Sequence, residues 1–124
     1  MDLIAAKKLI NWYRKHARSL PWRDVYTEPY HIMVCEFMAQ QTQIKTLVPY
    51  FIKWISTFKT IDEVAKSDID VVLKLWEGLG YYSRARNLHK TCQIIVQKHN
   101  SIVPNCYETL ISFPGIGPYI ASAI

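Results

Sequence analysis

Leu110-Ile111-Ser112-Phe113-Pro114-Gly115-Ile116-Gly117-Pro118-Tyr119 interrupts helix-forming sequence and restarts it within a few residues. A short helix meets a Pro-Gly-Ile-Gly turn. Pro118, with its fixed φ and missing N–H, suits the first position of the next helix. Two glycines separated by one apolar residue let backbone approach a ligand closely, while Ile116 anchors the turn from below. The N–H groups freed where the second helix starts suit a phosphate. No charged side chain occurs from Leu110 to Tyr119, so such a grip would rest on main-chain donors. A tight turn between two helices that binds nothing is the other reading of the same residues.

Outward from this hairpin the apolar periodicity is helical throughout. Ala6, Leu9, Ile10, Tyr13 and Ala17 recur at three- and four-residue steps behind Asp2 as a cap. Leu20-Pro21-Trp22-Arg23 breaks that helix, and Pro29 is placed to open the next. A further helix is expected from Leu47 to Thr57. Thr60 with Glu63 reads as a capping box, and Asn105 with Glu108 as a looser one. Ala85, Leu88, Cys92, Ile95 and His99 form a stripe down a longer helix, with Arg84, Arg86 and Lys90 off it. No strand hairpin, repeat or low-complexity tract is present, so the expected class is all-α, one helical domain over residues 1–124. The sequence stops at Ile120-Ala121-Ser122-Ala123-Ile124 without Gly, Pro or a basic residue to end the helix. So short and apolar a turn needs something to pack on, and the chain is expected to be the front portion of a larger fold, truncated at its C-terminus.

Bulk composition narrows the function classes. With 124 residues, half of them hydrophobic, the chain can bury a core and is not expected to be disordered. A net charge of +5 favours an anionic partner. The cations Lys7, Lys8, Arg14, Lys15, Arg18 and Arg23 crowd the start, and none follows Lys98; a solvated helix face accounts for that crowding equally well. The three cysteines are far apart and form no C-x-x-C pair. A zinc or iron–sulfur site built from this chain alone is therefore not expected, and free, mostly buried thiols in a reducing compartment are. The N-terminus has no secretory pattern and no apolar run nears the ~18 residues of a membrane span.

The chemistry-bearing stretch is Val34-Cys35-Glu36-Phe37-Met38-Ala39-Gln40-Gln41-Thr42-Gln43. It sets one carboxylate in an apolar run and follows it with amides. A desolvated Glu tends to keep its proton near neutral pH, which makes Glu36 a candidate general acid. The amides can donate and accept, as base edges require. On these residues alone, Glu36 could be a surface residue of its helix and the glutamines solvated helix-end residues.

The hairpin resembles the helix-hairpin-helix element, here at about 107–124, of the base-excision DNA glycosylases. Together with Leu20-Pro21-Trp22-Arg23, Pro29-Tyr30, the Glu36 to Gln43 run and Trp76-Glu77-Gly78-Leu79-Gly80-Tyr81-Tyr82-Ser83-Arg84-Ala85-Arg86-Asn87-Leu88, it is similar to the adenine DNA glycosylase family. The match runs from about Trp12 to Ile124. The resemblance implies a monofunctional enzyme of base-excision repair that removes adenine mispaired with 8-oxoguanine or guanine. It implies duplex DNA as partner, no membrane, a monomer, and a cytoplasmic, nucleoid-associated location if the source is bacterial.

Position by position, the resemblance makes Glu36 the acid that protonates the adenine ring and Tyr119 its helper across the pocket. Gln41 and Tyr81 fall where the family inserts side chains into the base stack, with Gln40, Thr42 and Leu79 adjacent. Trp22 and Arg23 match positions lining the adenine pocket, and Gly115 and Gly117 match the phosphate-binding hairpin. The family also uses a second carboxylate, an Asp some way past the hairpin, which residues 1–124 do not reach. Asp62, Asp68 and Asp70 do not occupy its place. The family's [4Fe–4S] cluster is expected only with C-terminal cysteines that this sequence lacks. Ala39 stands where the family usually has Leu, and Cys35 where it has Ser. Tyr119 stands where a strand-cleaving relative would carry Lys, which argues against Schiff-base chemistry. A mismatch thymine glycosylase of the same superfamily and an inactive DNA-binding remnant are the alternatives.

Overall fold

The computed structural model describes residues 28–40, 42 and 44–124. Among them the structure is helical, with no strand: α1 (Pro29–Ala39), α2 (Ile44–Thr57), α3 (Ile61–Lys66), α4 (Ile69–Trp76), α5 (Tyr82–Lys98), α6 (Tyr107–Ile111) and α7 (Pro118–Ala123). The helix expected over Ala6 to Ala17, with its Asp2 cap, lies outside the described residues. No described helix is long and apolar enough to cross a membrane.

Helix α1 is the centre. Pro29 opens it as expected, and Tyr30, His31, Met33 to Ala39 are all buried. A helix apolar around its whole circumference must be enclosed by others. One side of the enclosure is α2, which buries Leu47, Phe51, Trp54 and Ile55. It begins three residues before the expected Leu47, so Pro49 stands inside the helix and removes one ladder hydrogen bond. The hydroxyl of Tyr30 joins the two helices: it accepts from Trp54 Nε1 at 3.1 Å and donates to the Phe58 carbonyl at 2.7 Å. Trp54 in turn meets Phe58 and Trp76 edge-on, with centroids 5.1 and 5.9 Å apart.

Helices α3 and α4 pack along α5. The capping box at α3 is present: Thr60 Oγ1 accepts from the Glu63 N–H at 3.3 Å. Its return bond goes one residue further back, from the Lys59 N–H to Glu63 Oε2 at 2.7 Å. The α5 stripe holds at Ala85, Leu88, Cys92 and Ile95, all without exposure. His99 is the helix's C-cap residue and sets its ring edge-on to Phe113 at 5.5 Å. His89 Nε2 bonds the Ser67 carbonyl at 2.9 Å, tying the α3–α4 joint to α5. Two expectations are corrected. Helix α6 has Cys106, not Asn105, at its N-cap and no side-chain cap bond. Arg84, expected off the buried stripe, is buried.

Candidate active site

Glu36 sits in the middle of α1 with no solvent exposure, flanked by Val34, Cys35, Phe37 and Met38, which have none either. Charge is penalised at this point of the helix. The neighbouring Cys35 thiol is pushed well above the ordinary cysteine range, first by desolvation and second by Glu36 itself.

The hairpin is built onto the same stretch of α1. Gly115 has φ +80°, and a Cβ there would lie 2.9 Å from both Phe37 Cε1 and Asn87 Cβ. Both facts require glycine: the backbone is left-handed and the space beside it is filled. Thr91, buried on α5, donates to the Pro114 carbonyl at 3.0 Å. Ile116 is buried beneath the turn, and Ile120 and Ala121 bury the inner face of α7, which packs on α1 and α6. Pro118 opens α7. Gly117 differs from Gly115: its φ is −94° and a Cβ would meet nothing within 4 Å among the described residues. Neither its backbone nor its packing on the described residues demands glycine there, and its small size leaves room for an approaching ligand. Tyr119, in the first turn of α7, is 72% exposed. The structure thus brings the helices of Glu36 and Tyr119 together, with one side chain in the interior and the other in solvent.

A second cluster forms where α1 ends and α5 begins. Gln40 is the C-cap residue of α1 and half-buried, while Thr42 is buried. Leu79 is buried in the turn that leads to α5. Gly78 and Gly80 have φ of 101° and 77°, and the Tyr50 hydroxyl occupies the space a Cβ on Gly78 would need. Trp76 Nε1 donates to the Gly80 carbonyl at 2.9 Å, which closes this turn. Tyr81 follows, 59% exposed, at φ 53°, ψ 55°. That left-handed conformation costs a non-glycine residue roughly 1–2 kcal/mol, so neighbouring contacts must hold it.

Arg84 supplies those contacts, and it is the site residue that sequence reasoning missed. Its Nη1 donates to the carbonyls of Phe37 at 3.1 Å and Met38 at 3.2 Å, and also to that of Gln40. Its Nη2 donates to Thr42 Oγ1 at 3.3 Å. The guanidinium carbon lies 5.1 Å from the Tyr81 ring centroid and 5.8 Å from that of Trp76. Burial lowers the Arg84 pKa, and Tyr81 opposes that shift. A signal existed: α1 has no basic residue in its last turn and no glycine follows it, so its final carbonyls needed donors from elsewhere.

The remaining expected site residues, Trp22, Arg23 and Gln41, lie outside the described residues. Asp62, Asp68 and Asp70 stand on α3 and at the start of α4, where Asp62 accepts from Ser101 at 2.6 Å. No three His, Cys, Asp or Glu side chains among the described residues stand together as a metal site. Cys35 and Cys92 are buried and Cys106 is exposed. These three thiols do not fit a four-thiolate iron–sulfur cluster.

A family model described as HhH-GPD superfamily base excision DNA repair protein matches residues 34–118, and the chain belongs to that superfamily. Within it, the chain is similar to adenine DNA glycosylases. It is 46% identical over 123 residues to that of Buchnera aphidicola subsp. Baizongia pistaciae, covering 98% of this chain and 35% of the relative. It is 36% identical over 121 residues to that of Mycobacterium tuberculosis, covering 98% and 40%, and 37% identical over 124 residues to that of Homo sapiens, covering 94% and 23%. The chain therefore spans about a third of the length of the bacterial relatives. Among solved structures, a thermostable thymine-DNA glycosylase superposes with a TM-score of 0.73 at 20% identity, covering 97% of this chain and 55% of that one. A non-covalent Endonuclease III–DNA complex gives 0.72 at 17% identity, covering 98% and 57%. At these identities the structures establish the fold.

Proposed function

We propose that the chain acts in removing adenine mispaired with 8-oxoguanine or guanine from duplex DNA, with Glu36 as the general acid. A base inside a duplex is out of reach and must be extruded, at a cost of a few kcal/mol. Tyr81 and Gln41 fill the gap left in the stack, beside Gln40, Thr42 and Leu79, while Trp22 and Arg23 line the pocket. The main chain at Gly115 and Gly117 receives the DNA backbone. The Glu36 carboxyl gives its proton to a ring nitrogen of adenine, and Tyr119 assists. The C1′–N9 bond then breaks with its electron pair leaving on the base. The oxocarbenium-like sugar that remains takes up water, as in glycoside hydrolysis. No residue of this chain is assigned the role of the carboxylate that steadies that cation, and the protein acts as a monomer.

The observation that carries this reading is the placement of Glu36: wholly buried on a helix whose next residue, Phe37, is the floor on which Gly115 of the hairpin rests. Single-turnover release of adenine from an 8-oxoguanine:adenine duplex tests it. Glu36→Gln is expected to slow release by about 10²–10⁴, the usual worth of a positioned acid, while duplex binding is kept. Equal rates for the two proteins would remove Glu36 from the mechanism. Thymine release from a G:T duplex with none of adenine would transfer the chain to the thymine-specific class. Salt-sensitive duplex binding with no base release would make it a DNA-binding remnant.

A further inference from the structure

We infer that Arg84 is a positioning residue that holds two DNA-facing groups of residues, Gln40 and Thr42 after α1 and Tyr81 ahead of α5, in one fixed relation, so that base extrusion depends on it. The two lie about forty residues apart in sequence, and both contact this one side chain. On one side the guanidinium finishes the last carbonyls of α1 and grips Thr42 Oγ1. On the other it faces the Tyr81 and Trp76 rings, and the Arg84 N–H bonds the Tyr81 carbonyl at 3.0 Å. Trp76 completes the circuit by holding Gly80.

Arginine is suited to this place for reasons lysine does not share. Its planar fork carries several donors in fixed directions, and its faces stack on aromatic rings. A lysine could reach one or two acceptors but could not brace Tyr81 while doing so. Tyr81 is mostly exposed and in a conformation that chains avoid, so among the described residues its ring has little else to fix its direction. The consequence is a division of labour. Glu36 performs chemistry on an extruded base, whereas Arg84 touches neither base nor sugar and sets where the stack-filling groups stand.

The extrusion part of this inference rests on the function proposed above; the coupling part does not. The test therefore has two arms. In the first, hydrogen–deuterium exchange is followed in the DNA-free chain for Thr42→Val, a mild change that removes one acceptor of Arg84. Residues 79–83, which do not touch Thr42 in sequence, are expected to exchange about fivefold faster, the size of a contact-level coupling, while 61–66 stay unchanged. Arg84→Lys is expected to loosen both 37–42 and 79–83. Unchanged exchange at 79–83 in both variants overturns the inference, whatever the chain does to DNA.

In the second arm, 2-aminopurine replaces the mispaired adenine and its fluorescence reports unstacking. Glu36→Gln is expected to retain the parent's fluorescence gain, and Arg84→Lys to lose more than half of it. Arg84→Lys with full extrusion would overturn the inference. Fast adenine release by Glu36→Gln would overturn only the function reading.

Discussion

Two helix ends on this molecule are finished in opposite ways. The N-terminus of α3 is closed within its own segment, by Thr60, Glu63 and the Lys59 N–H. The C-terminus of α1 is closed by Arg84, whose bond to the Gln40 carbonyl crosses 44 positions of sequence. A local cap stabilises a helix wherever that helix is put. A distant one stabilises it only when α5 is docked with Tyr81 in place, so the geometry of the site becomes a condition of the fold. The scaffold side of the molecule uses the first device and the site side uses the second.

Removing the distant tie should have the largest effect on stability. Arg84→Met leaves buried carbonyls of α1 without donors and is expected to cost about 3 kcal/mol, read as a lower urea midpoint. A loss no greater than that from removing the local cap would break the comparison. Gly115→Ala comes next, at about 2 kcal/mol, because a strained φ and two filled contacts act together. The matched change Gly117→Ala should stay within about 0.5 kcal/mol. Equal losses at the two glycines would mean that the hairpin does not rest on Phe37 as described. Thr60→Ala should cost about 1 kcal/mol, with α3 alone gaining exchange.

An effect seen only in acid concerns the other end of α1. Burial lowers the His31 pKa from 6.5 to about 4, so the unfolded chain takes up a proton that the folded one refuses. Stability is therefore complete above about pH 6.5 and is lost as pH falls toward 4. Melting temperatures at pH 7, 5.5 and 4.5 should decline less in His31→Gln than in the parent. A parallel decline in both would assign the acid sensitivity to other groups.

What the sequence made legible divides along the same line. Pro29 and Pro118 opening helices, the Thr60 box, Ile116 beneath its turn and the α5 stripe were all readable, because each depends on residues a few positions apart. Arg84 was misplaced because a cation next to an apolar stripe looks solvated until its acceptors, on another helix, are known. Asn105 reads as a cap by residue type alone, and the observed N-cap, Cys106, is one position later. Gly115 and Gly117 look equivalent as letters; the left-handed backbone at Gly115 and the positions of Phe37 and Asn87 beside it separate them. The Glu36 neighbourhood was legible as apolar, and its complete enclosure follows from α1 being surrounded, a property of the whole fold.

The thiols carry a practical consequence. Cys35 and Cys92 are shut in the core, and burial holds each of them well above the ordinary thiol range. Cys106 is exposed, and the Thr109 N–H and hydroxyl nearby, with the Glu108 N–H, lower its pKa and favour the thiolate. A maleimide dye offered to the native chain should attach at that one sulfur, directly before α6. The unmutated protein thus provides a single attachment point for a fluorophore, one helix away from the loop where a DNA backbone is proposed to dock.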